Sequence, residues 1–87
     1  MREHRLKIKD EYLISLIASQ KKAEVRFNDR DYKVGDLLVF QRPYFMKDNR
    51  GIKYRFEITH VHEGLGLADG YVMLSLKQLP LSEGVLK

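Results

Sequence analysis

Alternation of apolar with polar residues, the spacing of β-strands, runs through much of this chain, whereas helical spacing occurs once. In the clearest stretch a polar residue separates each successive pair of apolar residues: Ile52, Tyr54, Phe56 and Ile58. Side chains along a strand point alternately to opposite faces, so this pattern predicts a long strand with one face buried. The chain is therefore expected to be mainly β.

Shorter segments predict four further strands. They lie at 4–8, 24–27, 37–40 and 71–76. The third of these is an unbroken apolar run, which suits a central strand covered on both faces. In the second, we place Val25 and Phe27 on the core face, so that Glu24 and Arg26 share the opposite face.

One segment between the first two strands predicts a helix. Apolar side chains recur at helical intervals from Tyr12 to Ile17, and Asp10 is a suitable N-cap. Polar turns are expected at 28–31 and 34–36, and a hairpin loop at 47–51.

These elements together predict a fold. About five strands and one helix leave sheet edges that must be hidden, and curling the sheet into a small barrel covers them. We predict a single α+β, mainly β domain over residues 1–87, with the main helix between the first two strands. Residues 79–87 have weak periodicity and are expected either to form a loose C-terminal tail or to pack late against the body.

The charge balance is compatible with anionic partners but does not by itself select them. Sixteen Lys and Arg against twelve Asp and Glu give a net charge of +4, weighted to the first third of the chain. Such a charge attracts nucleic acid but also serves solubility. The chain has no cysteine, which excludes disulfides and thiolate metal sites and makes the reducing cytoplasm its expected location. No apolar run reaches membrane-spanning length, so no membrane partner is expected.

Three ionisable residues stand where the helix hands over to the second strand. Lys21, Glu24 and Arg26 place two cations beside one carboxylate. They would suit a binding cleft, in which Arg clamps a phosphate and Glu accepts from a base amine. Taken from these residues alone, a solvated ion-pair cluster is the favoured interpretation, because such pairs are common on surfaces.

The first strand carries a basic face. Arg5, Lys7 and Lys9 alternate there and could follow a phosphate backbone, but a solvated outer face explains them equally well.

His60 and His62 share a strand face and would need a third ligand, His4 or Glu63, to hold a metal. Histidines at the barrel rim with ordinary hydrogen bonds are the favoured interpretation, and no metal or cofactor is expected.

The tyrosines are candidates for base stacking. Tyr12 and Tyr54 fall in apolar stripes and are expected in the core, whereas Tyr44 and Tyr71 are the better candidates for exposure. No glycine-rich phosphate loop, nucleophile elbow or zinc-protease helix is present.

The segment Ser19–Arg26 is similar to the G-x-K-x-x-E-x-R motif of the ASCH domain, a PUA-like β-barrel family linked to RNA. Only the first glycine departs from the motif, and Ser19 stands in its place. The resemblance covers residues 4 to 77, through His4–Lys7, Phe27–Tyr32, Val34–Asp36 and Gly66–Val72. The chain looks like a small uncharacterised bacterial and phage branch of ASCH-like proteins. The resemblance implies a PUA-like barrel and a cleft beside the helix, lined by Lys21, Glu24 and Arg26.

We expect an RNA- or nucleotide-binding module that uses this basic cleft. The residues expected to bind nucleic acid are Lys7, Lys21, Glu24, Arg26, Asn28 and Arg30. The alternative is a small hydrolase acting on RNA or on modified nucleosides, similar to the ASCH branch that hydrolyses N4-acylated cytidines. Lys21 and Glu24 would then be catalytic, although Glu24 stands where that branch has Thr, and its distant acid has no counterpart here.

Overall fold

The computed structural model describes residues 1–41 and 53–80, and these build one curled sheet and one helix. The elements in chain order are β1 (Glu3–Leu6), α1 (Asp10–Ile17), β2 (Ala23–Phe27), β3 (Leu37–Gln41), β4 (Lys53–Glu63) and β5 (Tyr71–Gln78). The predicted mainly β fold, with five strands and a helix between the first two, is confirmed. The expected hairpin loop at 47–51 and all of the expected tail beyond Pro80 lie outside the described residues.

The five strands are ordered β1-β3-β4-β5-β2 across the sheet. β1 runs parallel to β3, and every other neighbouring pair is antiparallel. β1 and β2 therefore occupy the two edges, although they follow one another in the chain. A register shift between Ile58 and His60 bends β4, as a bulge does, and the sheet curls into a half-barrel.

The core lies between the concave face of the sheet and the helix. Leu13 and Leu16 from α1 pack against buried side chains of β3, β4 and β5: Leu38, Phe40, Phe56, Ile58, Val72 and Leu74. Residues 37–40 are all buried, as the unbroken apolar run predicted. Within the described part of the chain, no helix has the length and hydropathy that a membrane span requires.

The predicted face of β2 is wrong. Glu24 is 7% exposed and points inward, whereas Val25 and Phe27 are 50% and 54% exposed. The pairing with β5 is the reason, because Glu24 lies opposite the buried Leu74, and opposed residues share a face. The register of this short edge strand, and not its hydrophobic pattern, therefore determines which of its side chains face inward.

Two predictions about α1 also fail. Tyr12 is 43% exposed instead of buried, and its ring lies 5.6 Å from the ammonium nitrogens of both Lys9 and Lys21. Asp10 is the first helical residue, with Lys9 at the N-cap position and no side-chain cap. Asp10 still places a negative charge at the positive end of the helix dipole.

A buried carboxylate fastens β1 to the turn that precedes β3. The ring N–H of His4 donates to Asp36 Oδ2 at 2.9 Å, and the backbone N–H groups of Arg2 and Lys33 also donate to this carboxylate. Burial alone would raise the pKa of Asp36, but these hydrogen bonds outweigh it and hold the pKa below its ordinary value. Asp36 is therefore expected to be ionised in the folded protein near neutral pH.

Replacing Asp36 by Asn is expected to lower the free energy of unfolding by about 1–3 kcal/mol at neutral pH, because buried donors lose a charged acceptor. A carboxyl whose pKa is lowered by folding stabilises the protein above its unfolded-state pKa. This advantage is lost as the pH falls through the lowered value. Urea unfolding of wild type and D36N across acidic pH should therefore show two curves that converge at low pH.

The control for this comparison is Glu3→Gln, which removes an exposed carboxylate from the same strand as His4. Its unfolding free energy should stay within about 0.5 kcal/mol of wild type. A gap between D36N and wild type that persists unchanged through the acid range would contradict the assigned role of Asp36.

Candidate functional site

The helix ends in a turn that delivers the charged cluster. The N–H of Ser19 donates to Leu16 O at 3.1 Å and the N–H of Gln20 to Ser15 O at 2.9 Å, the two bonds of a Schellman motif. Ser19 has a φ of 61°, the left-handed conformation that normally favours glycine at this position. The chain then turns directly into β2.

Glu24 holds two cations inside the curl of the sheet. Lys21 Nζ lies 3.1 Å from Glu24 Oε1, and Arg26 Nη2 lies 3.2 Å from Oε2. Of the three residues singled out from the sequence, Lys21 and Arg26 therefore each contact Glu24. The carboxylate is not part of a solvated surface cluster, because its side chain is only 9% exposed.

Arg26 joins the two edges of the sheet. Besides its ion pair, Nη2 donates to the backbone oxygen of Lys7, just beyond β1, at 2.6 Å. The guanidinium lies 5.8 Å from the centre of the Phe40 ring, within cation–π range. Its Nε is buried and has no hydrogen-bond partner within the described residues.

Lys21, like Arg26, makes a hydrogen bond to a backbone oxygen in addition to its ion pair. Its ammonium group donates to the backbone oxygen of Ala23 at 2.6 Å while pairing with Glu24. It borders a separate pocket of about 230 Å³, together with Leu16, Ser19 and Lys22. Lys21 and Arg26 thus share one carboxylate but open onto different hollows.

A groove of about 380 Å³ lies on the Arg26 side. It is lined by Arg5, Leu6, Lys7, Arg26, Phe27, Asp29, Arg30 and Tyr32. Four of these side chains are cationic and one is acidic. The side chains of Arg5, Lys7 and Arg30 are at the surface, and none forms an ion pair or hydrogen bond with another described residue. The groove therefore offers positive charge to a ligand.

Tyr32 forms the buried part of the groove wall. Burial raises the pKa of its phenol, because desolvation outweighs the opposing attraction of Arg26 and Arg30. The phenol therefore remains neutral at physiological pH. The Tyr32 ring also contacts the ring of His4 edge to face, with centroids 4.8 Å apart, which links the groove to the buried Asp36 anchor.

The residues predicted to bind nucleic acid are divided by the structure. Lys7, Arg26 and Arg30 line the groove. Glu24 lies behind it, and Lys21 faces the second pocket. Asn28 uses its side-chain oxygen to accept the backbone N–H of Tyr32 at 3.0 Å and so shapes the turn that carries Arg30.

Sequence reasoning missed part of the groove. Phe27 was assigned to the core because of the reversed strand phase. Tyr32 was among the tyrosines named as candidates for base stacking, but it was not included in the binding set. Arg5 was noticed on the basic face of β1 but left out of the binding set. The segment in which basic residues flank an aromatic, Arg26–Arg30, is the pattern that could have pointed to Phe27.

The histidines are not grouped. His4 bonds to Asp36, His62 Nε2 lies 3.2 Å from Leu65 O, and His60 is exposed. Across 1–41 and 53–80, no three potential ligand residues are close enough to hold a metal ion. Tyr71 is 41% exposed, as expected, whereas Tyr44 lies outside the described residues.

Comparison with known proteins assigns a family. A family model described as a domain of unknown function, DUF3850, matches residues 3–76. This match covers most of the chain, so the protein belongs to the DUF3850 family. The chain is also similar in structure to hypothetical protein PH0355, with a TM-score of 0.58 and 16% identity over 91% of this chain and 100% of that one. At this identity the likeness shows the fold alone. No curated protein matches.

Replacing Ser19 by Gly is expected to stabilise the protein by about 0.5–1 kcal/mol, because relief of left-handed strain exceeds the added entropy of the unfolded chain. Thermal and urea unfolding would measure the gain. The neighbouring Ala18→Gly is the control, because Ala18 has a φ of −79° and gains nothing from glycine. Equal effects of the two changes would contradict the strain.

Replacing Glu24 by Gln is expected to cost about 1–3 kcal/mol of unfolding free energy, because two partly buried cations lose their shared counter-charge. Glu63→Gln removes an exposed carboxylate from the end of β4 and should change stability by less than about 0.5 kcal/mol. If urea unfolding finds E24Q as stable as E63Q, the ion-pair network does not organise the site.

Proposed function

We propose that this protein is an RNA- or nucleotide-binding module whose ligand lies in the groove between β1 and the end of β2. The observation that carries the proposal is the concentration of Arg5, Lys7, Arg26 and Arg30 around one concave surface. Guanidinium groups pair with phosphate through two parallel hydrogen bonds, and an ammonium adds positive charge beside them. A phosphate-bearing ligand fits this chemistry better than a neutral one.

Within this groove the side chains have different roles. Arg26 is held from behind by Glu24 and by Lys7 O, so it presents a fixed cation to the ligand. The side chains of Lys7 and Arg30 form no ion pair or hydrogen bond with the other described residues, so they can adjust to the phosphates. Glu24 has both carboxylate oxygens occupied by cations, which supports a positioning role rather than direct reading of a base.

We also propose membership of the ASCH group of PUA-like barrels, which the comparisons do not name. Two observations support it. The motif residues Lys21, Glu24 and Arg26 converge around one carboxylate. Ser19, which stands where the ASCH motif has glycine, adopts the left-handed conformation that would favour glycine there. A cytoplasmic location agrees with an RNA partner and with the absence of cysteine.

The alternative function, hydrolysis of RNA or of modified nucleosides, has one observation in its favour. Lys21 borders its own pocket of about 230 Å³, next to Ser19. For Lys21 to act as a base or nucleophile, its amine would have to give up the contacts to Glu24 and Ala23 O. Binding is therefore the better supported function.

Chromatography after incubation with N4-acylcytidine and with single-stranded RNA should show no product.

The binding proposal is tested by Lys7→Ala and Arg30→Ala. In both residues the contacts that the fold uses come from backbone oxygens, which the substitutions leave in place. Titration of a fluorescent single-stranded RNA across salt should give a log Kd that rises linearly with log salt. Each substitution should weaken binding and reduce the slope by about one unit.

Lys77→Ala is the matched control, because Lys77 is exposed and lies beside the other pocket. It should leave both affinity and salt slope close to wild type. Binding that ignores salt, or that falls equally in all three variants, would refute a phosphate site in the groove.

A further inference from the structure

Phe27 is a large apolar side chain at the edge of a positively charged groove. It ends β2, lines the groove beside Arg26 and Arg30, and is 54% exposed. Burying an aromatic side chain is among the larger favourable contributions to folding, so leaving this one in water gives up stability. The exposure of Phe27 therefore indicates that its side chain has a functional role.

Its neighbours hold the Phe27 ring in place. In the register of β2 and β5, Phe27 lies opposite Tyr71, and the two rings meet edge to face with centroids 5.4 Å apart. On another side the ring rests against Gly70, where an added Cβ would lie 2.6 Å from Phe27 Cε1. The N–H of Asn28 donates to Gly70 O at 2.7 Å and fixes this approach. Phe27 is thus exposed but positioned.

We infer that Phe27 is a stacking platform for an unpaired base, so that the groove takes single-stranded RNA with phosphates on the cations and a base on the ring. This inference rests on the proposed function and narrows its ligand to unpaired strands. Aromatic rings stack on any base face, whereas bases inside a duplex keep their faces covered. Phe27 lines the same groove as Arg5, Lys7 and Arg30, whose charges would hold the phosphates that flank the stacked nucleotide.

The same outer face offers a competing use as a protein contact. Val25 and Met73 pair beside Phe27 and Tyr71, and all four side chains lie on the outer face of the sheet. The positive charge of the groove favours base stacking over a protein contact. Phe27 belongs to the cationic groove, whereas Val25 does not line it. A base on a phosphate backbone would therefore engage Phe27 and leave Val25 untouched, whereas a protein partner covering the face would contact both.

The experiment compares two probes of equal length and label: an oligouridylate and an abasic oligoribonucleotide, which has the same backbone without bases. Wild type should bind the oligouridylate more tightly. Phe27→Ala should weaken that binding by about 5- to 150-fold, the range for losing one stacked base, and should leave the abasic probe unaffected. Phe27→Tyr should restore binding, and Val25→Ala should match wild type on both probes.

Other outcomes separate the inference from the proposed function. If Lys7→Ala and Arg30→Ala weaken both probes while F27A changes neither, the groove binds phosphate and the stacking inference fails. If wild type binds neither probe, both fail. If V25A weakens binding as much as F27A, or if sedimentation shows a dimer that F27A dissociates, the outer face is a protein contact and the inference is overturned. Thermal unfolding of each variant confirms that it is folded.

Discussion

The fold depends most on the contacts of Arg26. This residue lies on the edge strand β2 and reaches the chain next to the other edge strand, β1. The strands β1 and β2 are consecutive in the chain but lie at opposite ends of the strand order. Arg26 bridges them by pairing with Glu24 on one side and with Lys7 O on the other. A guanidinium has several N–H donors in one rigid plane, so one side chain can hold both partners. The contacts of Arg26 that close the half-barrel therefore also shape the groove.

An inward-facing Glu24 is costly unless its charge is matched, because a buried carboxylate loses its hydration. Lys21 and Arg26 supply two cations to one carboxylate, and each cation is also held by a backbone oxygen. Such a network contributes more to orientation than to stability. It aims Arg26 at the groove, which Arg5, Lys7 and Arg30 also line, and in the proposed function these three cations contact the ligand. A rigid cation surrounded by adjustable ones suits a ligand with several phosphates.

The sheet could be predicted wherever burial and periodicity agree. The long alternation of β4 and the unbroken apolar run of β3 were predicted correctly, because these strands lie inside the sheet and their patterns record which faces are covered. The strand β2 misled the same reasoning, since it lies at an edge and its two apolar residues face outward. The prediction that Tyr12 lies in the core also failed, because a ring near two ammonium groups can stay at the surface.

The sequence by itself determined that this is a mainly β chain with one helix, and that Lys21 and Arg26 lie close enough to Glu24 to form ion pairs. Local spacing is enough for both conclusions, because strand and helix periods and separations of two or three residues are properties of a short segment. Only the tertiary structure decided which way β2 faces and that Lys7, Arg26, Phe27 and Arg30 surround one groove. Those facts depend on the register of β2 against β5 and on the curl that brings β1 close to it, and both are set by contacts between residues far apart in the chain.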